Sequence, residues 1–292
     1  RNDFDVLVIA TGTVPAIPQF ASAAPGAVVP LWNIDNAREA GRRLKKGMKL
    51  AILGGGIIGI ECALRAADAS IGVTVIEKMQ RLMPGNLTPA VSEIVEARLG
   101  EKGIKVIKDT SIKSVSRDGL ETRFTLESEE ELKTEMILLT AGVSRNLEMF
   151  TKSGMETQRG IVVDGFLKTS LQHVFACGDI AQVGGIARCS ASEALLQGRT
   201  AGVNAKLLIM GGAQKEYLRP VPAIAFKYGS LELHVAGVSG GEGCREEALK
   251  EYPGTEYVSR VVRNGRTVGI QVVGGAKEFQ KLVKEINNES SL

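Results

Sequence analysis

Short runs of Val, Ile and Leu, each stopped by glycine or a small residue, recur along this chain. They predict buried strands at residues 3–9, 49–53, 73–77, 104–107 and 136–140. Continuous apolar runs of this length suit a parallel sheet covered on both faces. Between the runs the period lengthens. Residues 57–69 read as a helix, and Val91, Ile94, Val95 and Leu99 fall at i, i+3, i+4 and i+8, one face of another. A short helix is expected over 35–44, ended by Lys45-Lys46-Gly47. Pro15, Pro18, Pro25 and Pro30 make the segment before it an extended crossover. Pro84-Gly85 marks a turn. Residues 112–116 and 122–126 read as antiparallel strands around Asp118-Gly119, with the acidic run 127–131 as a solvated turn.

The second half carries strands at 161–164 and 174–176, the latter running into Cys177-Gly178-Asp179. Ser190 and Glu193 have the spacing of a capping box, and the helix they open runs to about Met210, before Gly211-Gly212. After that the pattern changes. Strands are expected at 221–226, 231–236, 257–263 and 267–273, with Asn264-Gly265 as a hairpin turn. Phe279, Leu282, Val283 and Ile286 predict a last amphipathic helix. This part reads as a small α+β domain without evident chemistry.

The densest chemistry lies at residues 49–77. Strand, Gly54-Gly55-Gly56-Ile57-Ile58-Gly59, helix and strand follow one another, and Gly54, Gly56 and Gly59 have the G-x-G-x-x-G spacing of a dinucleotide-binding turn. The first glycine permits the tight turn, the second lets backbone approach a pyrophosphate, and the third lets helix pack on strand. The helix N-terminus offers N–H groups and partial positive charge to the phosphates. Glu77 closes the unit, 23 residues after Gly54, near the roughly 20-residue offset of a ribose-binding acid. A carboxylate there accepts ribose hydroxyls and repels a 2′-phosphate, which favours NAD over NADP. Lys78 and Arg81 just beyond point the other way, since a basic side chain pairs with such a phosphate. The bland alternative is a tight turn in an ordinary α/β domain.

Bulk properties set outer limits. At 292 residues there is room for about two domains. Net charge is +3, and no basic block with interleaved aromatics is present, so nucleic-acid binding is not expected. No segment has the composition of a membrane span. The sequence opens at Arg1 without methionine, which suggests a cut or processed start. Cys62, Cys177, Cys189 and Cys244 are scattered, form no C-x-x-C and no metal-ligand cluster with His173 or His234, and suit a reducing cytoplasm. No metal is expected, and both histidines read as structural.

These pieces in this order resemble the pyridine nucleotide-disulfide oxidoreductase superfamily, flavoproteins with two nucleotide-binding domains. The resemblance is carried by Ala10-Thr11-Gly12, the loop and helix of residues 54–61 with Glu77, Ala141-Gly142-Val143, and residues 174–179. The end of the chain, with Asn264-Gly265-Arg266, more loosely resembles the third domain of the NADH oxidase, rubredoxin reductase and nitrite reductase flavoprotein branch. The resemblance implies an α/β fold: a Rossmann-like three-layer NAD(P)-binding domain at 35–142, FAD-domain parts at 1–34 and 143–212, and a small α+β domain at 213–292. It assigns Gly54, Gly56, Ile57, Ile58, Gly59, Glu61, Glu77 and Gly142 to NAD, with Glu61 near the nicotinamide. It assigns Gly12, Gly178 and Asp179 to FAD, Asp179 taking hydrogen bonds from the ribityl chain. The helix after Ser190 would point its positive end at the flavin pyrimidine edge. Glu61 reads equally well as a salt-bridged helix glutamate.

The family's FAD domain opens with a glycine loop of its own before the Ala-Thr-Gly turn, and nothing precedes Arg1. The expectation is therefore a chain lacking the first half of the FAD domain, with an exposed sheet edge that a missing segment, a partner chain or a dimer contact covers. Two functions compete. One is an NADH-dependent FAD oxidoreductase with an unidentified electron acceptor; the other is a non-catalytic NAD(P)-binding fragment or subunit that holds no flavin. Catalytic residues are not assigned. A homodimer is the default assembly.

Overall fold

The computed structural model describes residues 3–119, 121–252 and 256–286. In chain order, β1 (Leu7–Ile9) and β2 (Val14–Pro15) come first, and β3 (Val28–Pro30) leads to α1 (Ile34–Arg43). Then β4 (Lys49–Leu53), α2 (Ile57–Asp68) and β5 (Gly72–Ile76) form one βαβ unit, extended by α3 (Pro89–Glu101) and β6 (Lys105–Ile107). An antiparallel trio follows, β7 (Ile112–Asp118), β8 (Glu121–Leu126) and β9 (Glu131–Thr134), and then β10 (Met136–Leu139). β11 (Val143–Ser144), α4 (Glu148–Lys152), β12 (Ile161–Val163), β13 (Val174–Ala176), β14 (Ala181–Val183) and α5 (Ala191–Ile209) come next. The chain closes with β15 (Ala223–Tyr228), β16 (Leu231–Gly237), β17 (Cys244–Tyr252), β18 (Glu256–Arg263), β19 (Arg266–Val273) and α6 (Ala276–Leu282). These elements gather into two compact units, residues 1–16 with 143–220 and residues 17–142 with 221–292.

The second unit is built on a parallel sheet in the order β3-β10-β4-β5-β6. Side-chain alternation divides its two faces. Leu50 and Ile52 point to the core shared with α2 and α3, which contribute Ile60, Leu64, Val91, Val95 and Leu99. Ala51 and Leu53 point the other way, onto Val115, Phe124 and Leu126 of the β7–β9 sheet. The result is three layers, with both strand faces dry, as the unbroken apolar runs require. β4 and β10 lie side by side although far apart in sequence, so the chain's winding reverses between them. In such sheets ligands bind at the carboxyl ends of the strands at this reversal. Pro30 sits on the edge strand β3, where a missing N–H is tolerated.

The five antiparallel strands β15-β16-β19-β18-β17 belong to the same unit. Leu231, Leu233, Val235 and Tyr257 join the α2/α3 core, while Val258, Ile270 and Val272 face Phe279, Leu282 and Ile286. Asn264 and Gly265 both have positive φ (51° and 75°), the backbone of a two-residue hairpin turn. Sequence reading found four of these strands and missed β17. Its sequence, Cys-Arg-Glu-Glu-Ala-Leu-Lys-Glu-Tyr, is that of an outer strand dominated by charged residues, so it carries little apolar signal.

The first unit has smaller sheets: β1 with β13, β12 with β14, and β11 with β2. Its core gathers Ile9, Phe175, Ile161, Val163, Leu167 and Ile180. Two expectations need correction here. Residues 3–9 are not a buried strand: β1 covers only Leu7–Ile9, and Leu7 and Val8 are each 37% exposed because β13 is the strand's only partner among the described residues. The Ser190/Glu193 capping box is half formed. Ser190 Oγ accepts from the Glu193 N–H at 3.4 Å, but the Glu193 carboxylate turns to Arg188 at 3.2 Å and Arg219 at 3.8 Å instead of returning to the cap. Two guanidinium groups attract a buried carboxylate more strongly than one backbone N–H.

Candidate dinucleotide and flavin sites

The glycine loop sits where β4, β5 and β10 end. Gly54 has φ +114°, and a Cβ built on it would lie 2.9 Å from the Ala141 backbone. A Cβ on Gly59 would lie 2.1 Å from the Gly54 carbonyl oxygen. Both glycines are thus demanded by the protein's own packing. Gly56 is different. A Cβ there meets nothing within 4 Å, and its φ of −77° is open to any residue. Its bareness leaves clear space directly before the N-terminus of α2, where no side chain caps the helix. A diphosphate needs that space and those N–H groups. Ile57 is half-buried and Ile58 exposed beside it. Gly142, at φ +96°, is equally open.

Glu77 is brought to this loop. Its side chain is buried (9% exposed), with Oε2 accepting from the Gly55 N–H at 2.7 Å and Oε1 from the Met79 N–H at 2.8 Å. Two backbone donors fix the carboxylate without exhausting it, since each oxygen has a second acceptor position. Arg81 is turned away from the role it would have toward a 2′-phosphate: its Nη2 donates to the Pro84 carbonyl at 3.1 Å. Glu61 is not drawn to the loop. It pairs with Arg65 at 2.7 Å, one helical turn on and exposed, an arrangement worth only about 0.3–0.5 kcal/mol.

In the other unit, the ends of the paired strands β1 and β13 carry Gly12 and Gly178-Asp179, and the Cys177 N–H donates to the Ile9 carbonyl at 3.0 Å. Gly12 (φ +67°) faces open space, and Gly178 (φ +74°) starts a single 3-10 turn through Ile180. Cys177 is buried and its thiol pushed up by burial, as a packing residue requires. No hydrogen bond from a described residue reaches the Asp179 carboxylate, which leaves it available to accept from a polyol. The residues present therefore fit a ribityl-binding turn.

A family model described as pyridine nucleotide-disulphide oxidoreductase matches residues 1–198. The chain belongs to this family. Among its relatives, a rubredoxin-NAD(+) reductase from Pseudomonas putida is 31% identical over 61% of the chain and 46% of its own length. A nitric oxide reductase FlRd-NAD(+) reductase from Vibrio vulnificus is 29% identical over 80% of the chain and 60% of its own length. An assimilatory nitrate reductase electron transfer subunit from Bacillus subtilis is 23% identical over 97% of the chain. The chain spans 36–60% of the length of these curated relatives. In fold it is similar to a ferredoxin reductase from Rhodopseudomonas palustris (TM-score 0.86, 24% identity, 97% of the chain and 70% of that protein). A NAD-dependent persulfide reductase from A. fulgidus gives a TM-score of 0.81 at 26% identity, over 97% of the chain and 57% of that protein.

Several residues that shape these candidate sites escaped sequence reading. Thr140 Oγ1 donates between the Leu53 and Gly54 carbonyls at 3.2 and 3.0 Å, tying the end of β10 to the glycine loop. Leu82, fully buried, roofs Gly55: a Cβ there would lie 2.5 Å from Leu82 Cδ2. Gln197 and Arg145 hold the Asp179 turn. The one available signal was on α5, where the buried stripe Glu193, Gln197, Ala201, Asn204 recurs at helical spacing and is mostly polar. A polar buried stripe means that the helix is bonded to backbone, not merely packed on it.

Proposed function

We propose that the chain is part of an NADH-dependent FAD oxidoreductase. The observation that carries this is the glycine loop: Gly56 leaves open space at the uncapped end of α2 while Gly55 and Met79 fix the Glu77 carboxylate beside it. The α2 N-terminus would take the diphosphate and Glu77 the adenosine ribose hydroxyls. NADH is favoured over NADPH because a 2′-phosphate would meet a buried carboxylate, and Arg81 is engaged with Pro84. Gly12, Gly178 and Asp179 would hold FAD, which supplies hydride acceptance from NADH and onward electron transfer. The protein's contribution is position and electrostatics. The relative named for rubredoxin supports a small redox protein as acceptor; oxygen and a disulfide are the other classes. Calorimetric titration of the folded protein with NADH tests the reading: saturable binding is expected, and none would remove it.

A second reading, a NAD-binding module that holds no flavin, is favoured by the exposed Leu7 and Val8 on β1. A yellow protein with a flavin absorbance band rules it out. We also propose a homodimer, and polypeptide from elsewhere in the same protein or from a partner chain on the β1 edge. Among the described residues no helix is long and apolar enough to cross a membrane.

A further inference from the structure

We propose that Gln197 is a positioning residue for the flavin, acting through the backbone of the Gly178-Asp179 turn. The inference rests on the reading of that turn as a FAD site. Gln197 lies on the second turn of α5, 5% exposed, and its Oε1 accepts from the Gly178 N–H at 2.8 Å. Gly178 is in the left-handed region, and a Cβ on it would already touch Ala194 Cβ at 3.6 Å, so the turn lies directly against α5. On the far side, Arg145 Nε donates to the Asp179 carbonyl oxygen, and its Nη2 reaches Cys189 Sγ at 3.4 Å.

Two backbone groups of this turn, the Gly178 N–H and the Asp179 carbonyl, are therefore taken by side chains from other elements, and the Gly178 carbonyl accepts from the Ala181 N–H, while no hydrogen bond from a described residue reaches the Asp179 carboxylate. That division is informative. Ordering a glutamine side chain costs rotamer entropy, and a water on Gly178 would satisfy the same N–H. A fixed acceptor holds the turn in one place; a water does not. Gln197 thereby sets the direction in which Asp179 is presented, and α5 and Asp179 move as one piece. Asn204 of the same stripe behaves alike: its Nδ2 donates to the Phe166 and Lys215 carbonyls at 2.9 and 2.7 Å.

The test compares Gln197→Leu, which keeps volume and removes the acceptor, with Gln197→Glu, which keeps an accepting oxygen. In the chain itself, amide hydrogen exchange by NMR is expected to quicken at Gly178 in Gln197→Leu and to stay protected in Gln197→Glu, with Gly55 unchanged in both. In the FAD-loaded full-length protein, Gln197→Leu is expected to weaken FAD about tenfold, the worth of one hydrogen bond, with the flavin midpoint potential displaced and NADH affinity unchanged. Gln197→Glu is expected to recover most of the FAD affinity. Unchanged FAD affinity in Gln197→Leu, or equal loss in both variants, overturns the positioning role while leaving the flavin reading intact. Failure of the unsubstituted full-length protein to take up FAD overturns the flavin reading, and this inference with it.

Discussion

At the scale of single residues, the glycines of the loop separate into two kinds. Gly59 is required by the fold: its missing Cβ is the space occupied by the Gly54 carbonyl. Gly59→Ala is expected to cost about 1–3 kcal/mol as an overpacking substitution, read by urea denaturation. Gly56 is not required by packing, since a Cβ there meets nothing within 4 Å. Gly56→Ala is expected to change stability by under about 1 kcal/mol yet to weaken NADH at least about tenfold, read by calorimetry. An equal effect of the two substitutions on stability would contradict this division. Glu77→Ala is expected to weaken NADH more than NADPH, because it removes both the ribose acceptor and the charge that repels a 2′-phosphate; the opposite order would reverse the cofactor preference. The spacing of Gly54, Gly56, Gly59 and Glu77 was legible in the chain because local backbone chemistry dictates it. That Gly56 alone faces open space was not, because this depends on Ala141, Thr140 and Leu82, which come from other strands and loops.

At the scale of elements, one contact ties the last sheet to α3. Glu246 on β17 accepts at a single carboxylate oxygen from Thr88 Oγ1 (2.8 Å), Tyr257 Oη (3.0 Å) and Ser259 Oγ (2.6 Å). Thr88 is also the N-cap of α3, accepting from the Val91 N–H. Glu246→Ala leaves these hydroxyls without their acceptor and is expected to destabilise the protein by about 1.5–3 kcal/mol, the range for a hydrogen bond to a charged group. Burial first, and then the Glu246 charge, push the Tyr257 hydroxyl up to about 12. The raised value applies to the folded state, so its contribution is complete below the unfolded value near 10 and is lost as pH rises toward 12. Stability is therefore expected to fall across that window, and Tyr257→Phe to flatten the fall; an unchanged alkaline slope would remove Tyr257 as its source. Most elements here were readable from period and punctuation. β17 was not, since a charged outer strand has no apolar alternation, and neither was the half-formed cap of α5, where Arg188 and Arg219 draw Glu193 away.

At the scale of the whole molecule, β1 presents an unfinished edge. Leu7 and Val8 are exposed, and among the described residues β13 is their strand's one neighbour. A free apolar edge is a pairing site. Val8→Lys is expected to lower the FAD content of the purified protein while leaving NADH affinity unchanged, since the glycine loop belongs to the other unit; a matching loss of NADH binding would show a general folding defect instead. Sedimentation is expected to give a dimer, and a monodisperse monomer would discard that assembly. The amino-acid sequence by itself determined the βαβ unit, its three glycines and its terminal acid, because each obeys rules that act within some twenty neighbouring residues. Tertiary structure alone decided that Glu77 is pinned by Gly55 and Met79, that Glu61 stays with Arg65, and that Gln197 and Arg145 hold the Asp179 turn. Those outcomes depend on which distant side chains arrive at the same buried backbone groups, and a buried polar group takes the best-placed partner available, wherever in the chain it lies.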